Sequence, residues 1–209
     1  MQGQLPPGRA PTNARGRRTR AALLAAARAV LEAGGFPALT MGAVADRAGV
    51  TRRSVYLHFA SRTELVGALF EAVAETEGLQ SSLQRVRAAA DAVSALDAWA
   101  RHEASYHVRI IRVASALEHV GRDDPDAATW RQRIAGRQLI DCRFLVEWLA
   151  REHRLAPGWT VERATDMLWA LISTEPLERL LIDRAWQPET YAELFAQLLR
   201  STFVAPSSR

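Results

Sequence analysis

"GVTRRSVYLHFASRTEL", residues 49–65, sets three arginines, a tyrosine and a histidine among apolar residues at helical spacing. Thr51 is a good N-cap, which predicts a short helix over 52–58. Just upstream, Thr40 caps a second short helix over 41–48, and Gly49 ends it. Two short helices joined by Ala48-Gly49-Val50-Thr51 make a helix-turn-helix, whose second helix can enter a DNA major groove. Val44, Ala45, Ala48, Val50, Val55 and Phe59 are spaced to form one small core, with the two alanines allowing close helix approach. Thr51, Arg52, Arg53, Ser54, Tyr56, Leu57 and His58 then divide between core, groove and phosphate.

Working outward, a first helix is expected over 18–33, with Leu23, Ala26, Ala27, Val30 and Leu31 on one face and "GGF" at 34–36 as its stop. Downstream, "SRTE" at 61–64 is a capping box: Ser61 can accept from the backbone of Glu64, whose side chain reaches back. It opens a connecting helix over 61–77. Residues 1–16, rich in proline and glycine and without periodicity, read as a flexible arm. The remainder is helical by pattern, near 81–90, 92–106, 108–120, 125–154, 160–173, 176–184 and 188–203. The expected fold is therefore all-α: a three-helix helix-turn-helix domain over 17–60, then a larger helical regulatory and dimerisation domain over 61–209.

Charge supports the reading of the opening stretch. Residues 1–62 carry ten arginines against Glu32 and Asp46, while the other 147 residues carry 17 arginines against 21 acids. A head of net +8 on a body of net −4 is the electrostatic footprint of a partner to nucleic acid or another anionic surface. Cys142 is the only cysteine, which excludes an intrachain disulfide and suits a reducing cytoplasm. No apolar run approaches the roughly 18 residues needed to span a bilayer. Neither a nucleophile elbow nor a glycine-rich phosphate loop is present, and no H-E-x-x-H metal spacing occurs. At α-helical spacing, His102, His107, His119 and His153 place no three imidazoles on one face, so neither a metal nor a catalytic site is expected.

The string "TMGAVADRAGVTRRSVYLHFASRTEL", preceded by "GGF", resembles the tetracycline-repressor-like (TetR) family of bacterial transcriptional regulators over roughly residues 18–75. Ala45, Gly49, Val50, Tyr56, His58, Phe59 and Arg62 carry the resemblance. It implies that Thr40, Ser54, Tyr56, His58 and Arg62 occupy phosphate-contacting positions, and that Thr51, Arg52, Arg53 and Leu57 lie where bases are read. Two departures stand out: the family often has a small residue where Arg53 stands, and usually lysine where Arg62 stands. Arginine keeps the charge at 62 but changes the hydrogen-bond geometry.

The resemblance further implies a homodimer on a palindromic operator and a body that holds a small-molecule effector, with no cofactor. Val161, Leu168 and Ile172 on 160–173, with Tyr191, Phe195 and Leu198 on 188–203, form a candidate dimer seam at helical spacing. Candidate pocket residues are Trp99, His102 and Tyr106, which share one helical face, then Trp130, Gln138, Asp141, Cys142, Phe144, Trp148 and Trp169. An aromatic stripe at that spacing serves equally as plain core. The leading expectation is a ligand-responsive dimeric repressor. The alternatives are a helical adaptor, a membrane-surface binder using the basic module, and an enzyme built on Cys142.

Overall fold

The computed structural model describes residues 13–118 and 124–206, so the predicted arm lies almost wholly outside the described residues. The chain divides into two compact units. The first comprises Met1–Val73 with Arg112–Arg131, the second Ala74–Ile111 with Gln132–Arg209. The boundary expected at residue 60 thus falls inside the first unit, because the helix that follows it packs into the same core.

In the first unit, α1 (Ala14–Ala38) is capped by Asn13, whose side chain accepts from the Gly16 amide. It starts before the expected residue 18. Gly35, at φ 71° and ψ −177°, breaks the helical path where "GGF" predicts a stop, and Phe36 beyond it is buried. Although α1 is long and apolar enough by composition to cross a bilayer, contrary to expectation, Leu23, Ala27 and Leu31 are buried in the core of this unit. Next come α2 (Met41–Ala48), α3 (Arg52–Tyr56) and α4 (Arg62–Thr76). Gly49 takes the left-handed conformation, φ 66° and ψ 33°, so the chain reverses there at little strain. The capping box forms: Ser61 Oγ accepts from the Glu64 amide at 3.1 Å, and Glu64 reaches back to the Ala60 amide at 2.7 Å. Leu31, Phe36, Leu39, Val44, Val55, Phe59, Leu65 and Leu69 are buried here. Trp130 lies against Gly67, where an added Cβ would come within 2.3 Å of the indole, and its ring stacks on Phe70 at 6.1 Å.

The second unit is built from α5 (Leu79–Arg87), α6 (Ala92–His102), α7 (Val108–Glu118, through Ile111), α8 (Pro125–Arg151, from Gln132), α9 (Val161–Leu171), α10 (Thr174–Leu177) and α11 (Pro188–Phe203). Two stretches widen into π turns, Glu103–His107 between α6 and α7 and Glu178–Asp183 after α10. One apolar core joins Leu96, Trp99, Leu145, Leu149, Leu168, Phe195 and Leu199. α8 ends at Arg151, short of the expected 154, with His153 in the left-handed region at φ 55°. A short antiparallel bridge, Leu155 with Val204, ties the turn after α8 to the end of α11.

Candidate nucleic-acid interface

The face of α3 is set by its caps. Thr40 Oγ1 accepts from the Ala43 amide at 3.1 Å, and Thr51 Oγ1 accepts from the Ser54 amide at 3.2 Å, so α2 and α3 start at fixed residues. α3 is a single short helix that ends at Tyr56 rather than at the expected 58, although Leu57, His58 and Phe59 continue its turn with amide bonds to Arg53 and Val55. Val55 and Phe59 are fully buried. Arg52, Arg53, Tyr56 and Leu57 are exposed, Leu57 by 77% and Tyr56 by 52%. Ser54 and His58 are half-buried, whereas Thr40 and Thr51 are exposed. The Arg52 guanidinium lies over Gly42, whose missing Cβ leaves room for it (a Cβ would stand 3.4 Å from Nε).

Arg62 requires a correction. Its guanidinium donates from Nε to the Leu39 carbonyl at 2.8 Å, from Nη2 to the Phe36 carbonyl at 3.0 Å, and from Nη1 to Asp124 Oδ2 at 2.7 Å. It also stacks over the Phe36 ring at 4.5 Å, and Asp126 lies at 3.5 Å. These bonds hold the group within the first unit, so the structure makes Arg62 a tether rather than a phosphate contact. Neighbouring Thr63 donates to Asp126, and Asp124 caps α8 through the Asp126 amide. Arg62→Ala should therefore destabilise this unit by about 1–3 kcal/mol, since two carbonyls and a carboxylate lose partners at a partly exposed site. Arg62→Lys should recover only part, because the ammonium's three donors sit on one atom and cannot match the fixed planar spread of Nε, Nη1 and Nη2. Urea unfolding of the three proteins checks this.

Arg20 was not singled out in the sequence and proves to be a second positioning group. Nη1 donates to the His58 carbonyl at 3.0 Å, and the guanidinium sits 4.3 Å from the Phe59 ring centroid. It fixes the C-terminal end of the α3 turn from α1. Its only sequence signal is an arginine on the inner edge of an amphipathic helix.

Nine of the ten candidate pocket residues lie in the second unit, where they do not line one cavity. Trp99, His102 and Tyr106 do share a face, with ring separations of 5.1 and 5.3 Å, but all three are buried. Burial, helped by the positive neighbours His107, Arg85 and Arg109, lowers His102 to about 3. Trp130 belongs to the first unit, and Trp169 is 40% exposed. Asp141 pairs with Arg87 at 3.1 Å. Trp148 donates to Glu152 at 2.6 Å and meets Phe144 edge-on, while Gln138 is half-buried. Cys142 is fully buried, and burial with Glu103 and Asp141 nearby raises its thiol, the reverse of an activated nucleophile. A groove of about 700 Å³ opens elsewhere, between α6 with its π turn and α11, lined by Asp97, Arg101, His102, Glu189, Glu193 and Arg200 among others. Of the ten candidates, only His102 reaches it.

The candidate seam also changes. Leu168, Ile172, Tyr191 and Phe195 are buried in their own unit's core and Val161 is half-buried, because the 3.6-residue stripe marks the inner face. Leu198 is exposed, together with Leu194 on α11 and Met167 on α9.

Residues 23–69 match the family model of the bacterial regulatory proteins, tetR family. No curated protein sequence matches the chain. Among solved structures, the chain resembles NalD, the secondary repressor of the MexAB-OprM multidrug efflux pump in Pseudomonas aeruginosa, with a TM-score of 0.74 and 22% identity over 92% of this chain and 98% of that one. A SmeT–triclosan complex gives a TM-score of 0.72 at 18% identity, covering 91% and 93%. FadR of Bacillus subtilis, in complex with stearoyl-CoA, gives 0.70 at 16%, covering 86% and 96%. At these identities the likeness over the whole chain is one of fold.

Proposed function

We propose that this chain, whose N-terminal head belongs to the tetR family of bacterial regulatory proteins, is a dimeric transcriptional repressor that releases its operator when its body binds a small molecule. The observation that carries the reading is the division of α3: Val55 and Phe59 are locked inward while Arg52, Arg53, Tyr56 and Leu57 stand out to solvent. Arginine can grip the guanine edge with two bonds, and an apolar tip suits the thymine methyl. Thr40, Ser54, Tyr56 and His58 would supply phosphate contacts, and Thr51 would stand with Arg52, Arg53 and Leu57 where bases are read.

Dimerisation is supported by the apolar side chains left outside. Met167, Leu194 and Leu198 are 43–47% exposed, and Leu194 and Leu198 stand one turn apart on α11. Two heads presented about 34–36 Å apart would read successive major grooves of a palindrome. Leu194→Asp with Leu198→Asp should yield monomers by analytical ultracentrifugation, with operator affinity reduced at least about a hundredfold as the second head's contribution is lost. Effector response is supported by the triclosan and stearoyl-CoA complexes of proteins sharing this fold. It acts only through a difference in ligand affinity between DNA-competent and incompetent states.

Selection of bound fragments from random DNA tests the whole reading. It should return one motif with dyad symmetry, bound with affinity that falls steeply with salt as counterions are released. Fragments without a common motif would sink the reading.

A further inference from the structure

The π turn after α6 gathers a group of side chains that DNA reading does not use. His102, Glu103 and His107 each bring one ligand atom within 4.8 Å of the others. In an α-helix of 3.6 residues per turn, positions 102 and 107 would stand about 140° apart. The wider i→i+5 turn over Glu103–His107 brings them to one side, with the two imidazole rings 5.5 Å apart and edge to face. Glu103 is fully buried, its Oε2 lies 2.9 Å from His107 Nδ1, and its Oε1 has no hydrogen-bond partner among the described residues. A carboxylate held in a core with one oxygen unsatisfied is costly unless something else meets it.

We propose that His102, Glu103 and His107 form a binding site for a divalent transition-metal ion of the zinc class. Two imidazoles and one carboxylate are a donor set that suits zinc, cobalt or nickel far better than calcium or magnesium. Ser82 lies 2.9 Å from His102 Nδ1, so an Nδ1–H donated to its hydroxyl leaves Nε2 free to ligate. The ion has a way in, since His102 also lines the groove between α6 and α11. That groove leaves a coordination position for water or an anionic ligand. The proposal is independent of DNA reading and is tested without DNA, so its failure would leave that reading intact.

The untagged full-length chain, stripped with a chelator, is titrated with Zn²⁺ against a chromophoric indicator, and separately with Co²⁺ to follow visible ligand-field bands. The expected result is one ion per chain, with affinity weakened at least about tenfold in Glu103→Gln and in His107→Gln and unchanged in His153→Ala. Glu103→Gln keeps the volume of the side chain, and far-UV circular dichroism confirms that each variant is folded. Should one of the two site variants not fold, the other decides alone. No binding by the native chain, or stoichiometric binding that a folded site variant retains in full, would overturn the proposal.

Discussion

The double variant Arg52→Ala/Arg53→Ala should lose operator affinity by about 30- to 10⁴-fold, while its melting temperature stays within a degree or two of the parent. Each arginine that grips a base edge contributes roughly five- to hundredfold in discrimination, and the two effects multiply if they serve different bases. Stability should hardly move because both side chains are exposed, and exposed substitutions usually stay within about 0.5 kcal/mol. Fluorescence anisotropy on the selected operator, paired with a thermal melt, measures both quantities. The single variants sharpen the expectation: Arg53→Ala should change which bases are preferred at particular positions. A uniform loss across all operator variants would make Arg53 a phosphate contact instead.

Phe59→Ala should have the largest effect on the fold. The ring is fully buried in the first unit and carries the Arg20 guanidinium on one face. Truncating a buried phenylalanine costs about 3–5 kcal/mol through lost transfer energy and the cavity left behind. A small head has little stability in reserve. Urea denaturation followed by hydrogen exchange should show amides of α1 to α4 losing protection, with DNA binding lost as a consequence of unfolding. Leu57→Ala, two residues away and 77% exposed, should leave the urea midpoint in place while weakening DNA binding. Comparable stability for the two variants would contradict the inward and outward division of the α3 turn.

The head was legible because its determinants are local. Thr40, Thr51 and Ser61 act on amides three residues away, and Gly49 sets one left-handed turn. Which side of α3 is core follows from the spacing of Val55 and Phe59. Arg62 could not be placed this way, because its acidic partner Asp124 lies 62 residues further on, in a segment with no signal linking it to the head. The body failed for a different reason. Amphipathic spacing marks the inner face of α9 and α11, so Leu168, Ile172, Tyr191 and Phe195 read as a seam by pattern while packing in the chain's own core. The outer apolar face, Met167, Leu194 and Leu198, is written in the gaps of that same stripe. The grouping of His102, Glu103 and His107 is invisible at α-helical spacing, because the π turn changes the period across those residues. H-E-x-x-x-H at 102–107 was the available trace.

One measurement bears on the α3 face more directly than any loss of function. Leu57 is replaced by the photo-crosslinking residue p-benzoylphenylalanine, and the full-length chain is illuminated on its selected operator. An outward α3 face should give covalent adducts to bases inside each half-site, mapped by primer extension, and none from the same group at position 198. Retained operator binding with adducts to protein alone from position 57 would contradict it.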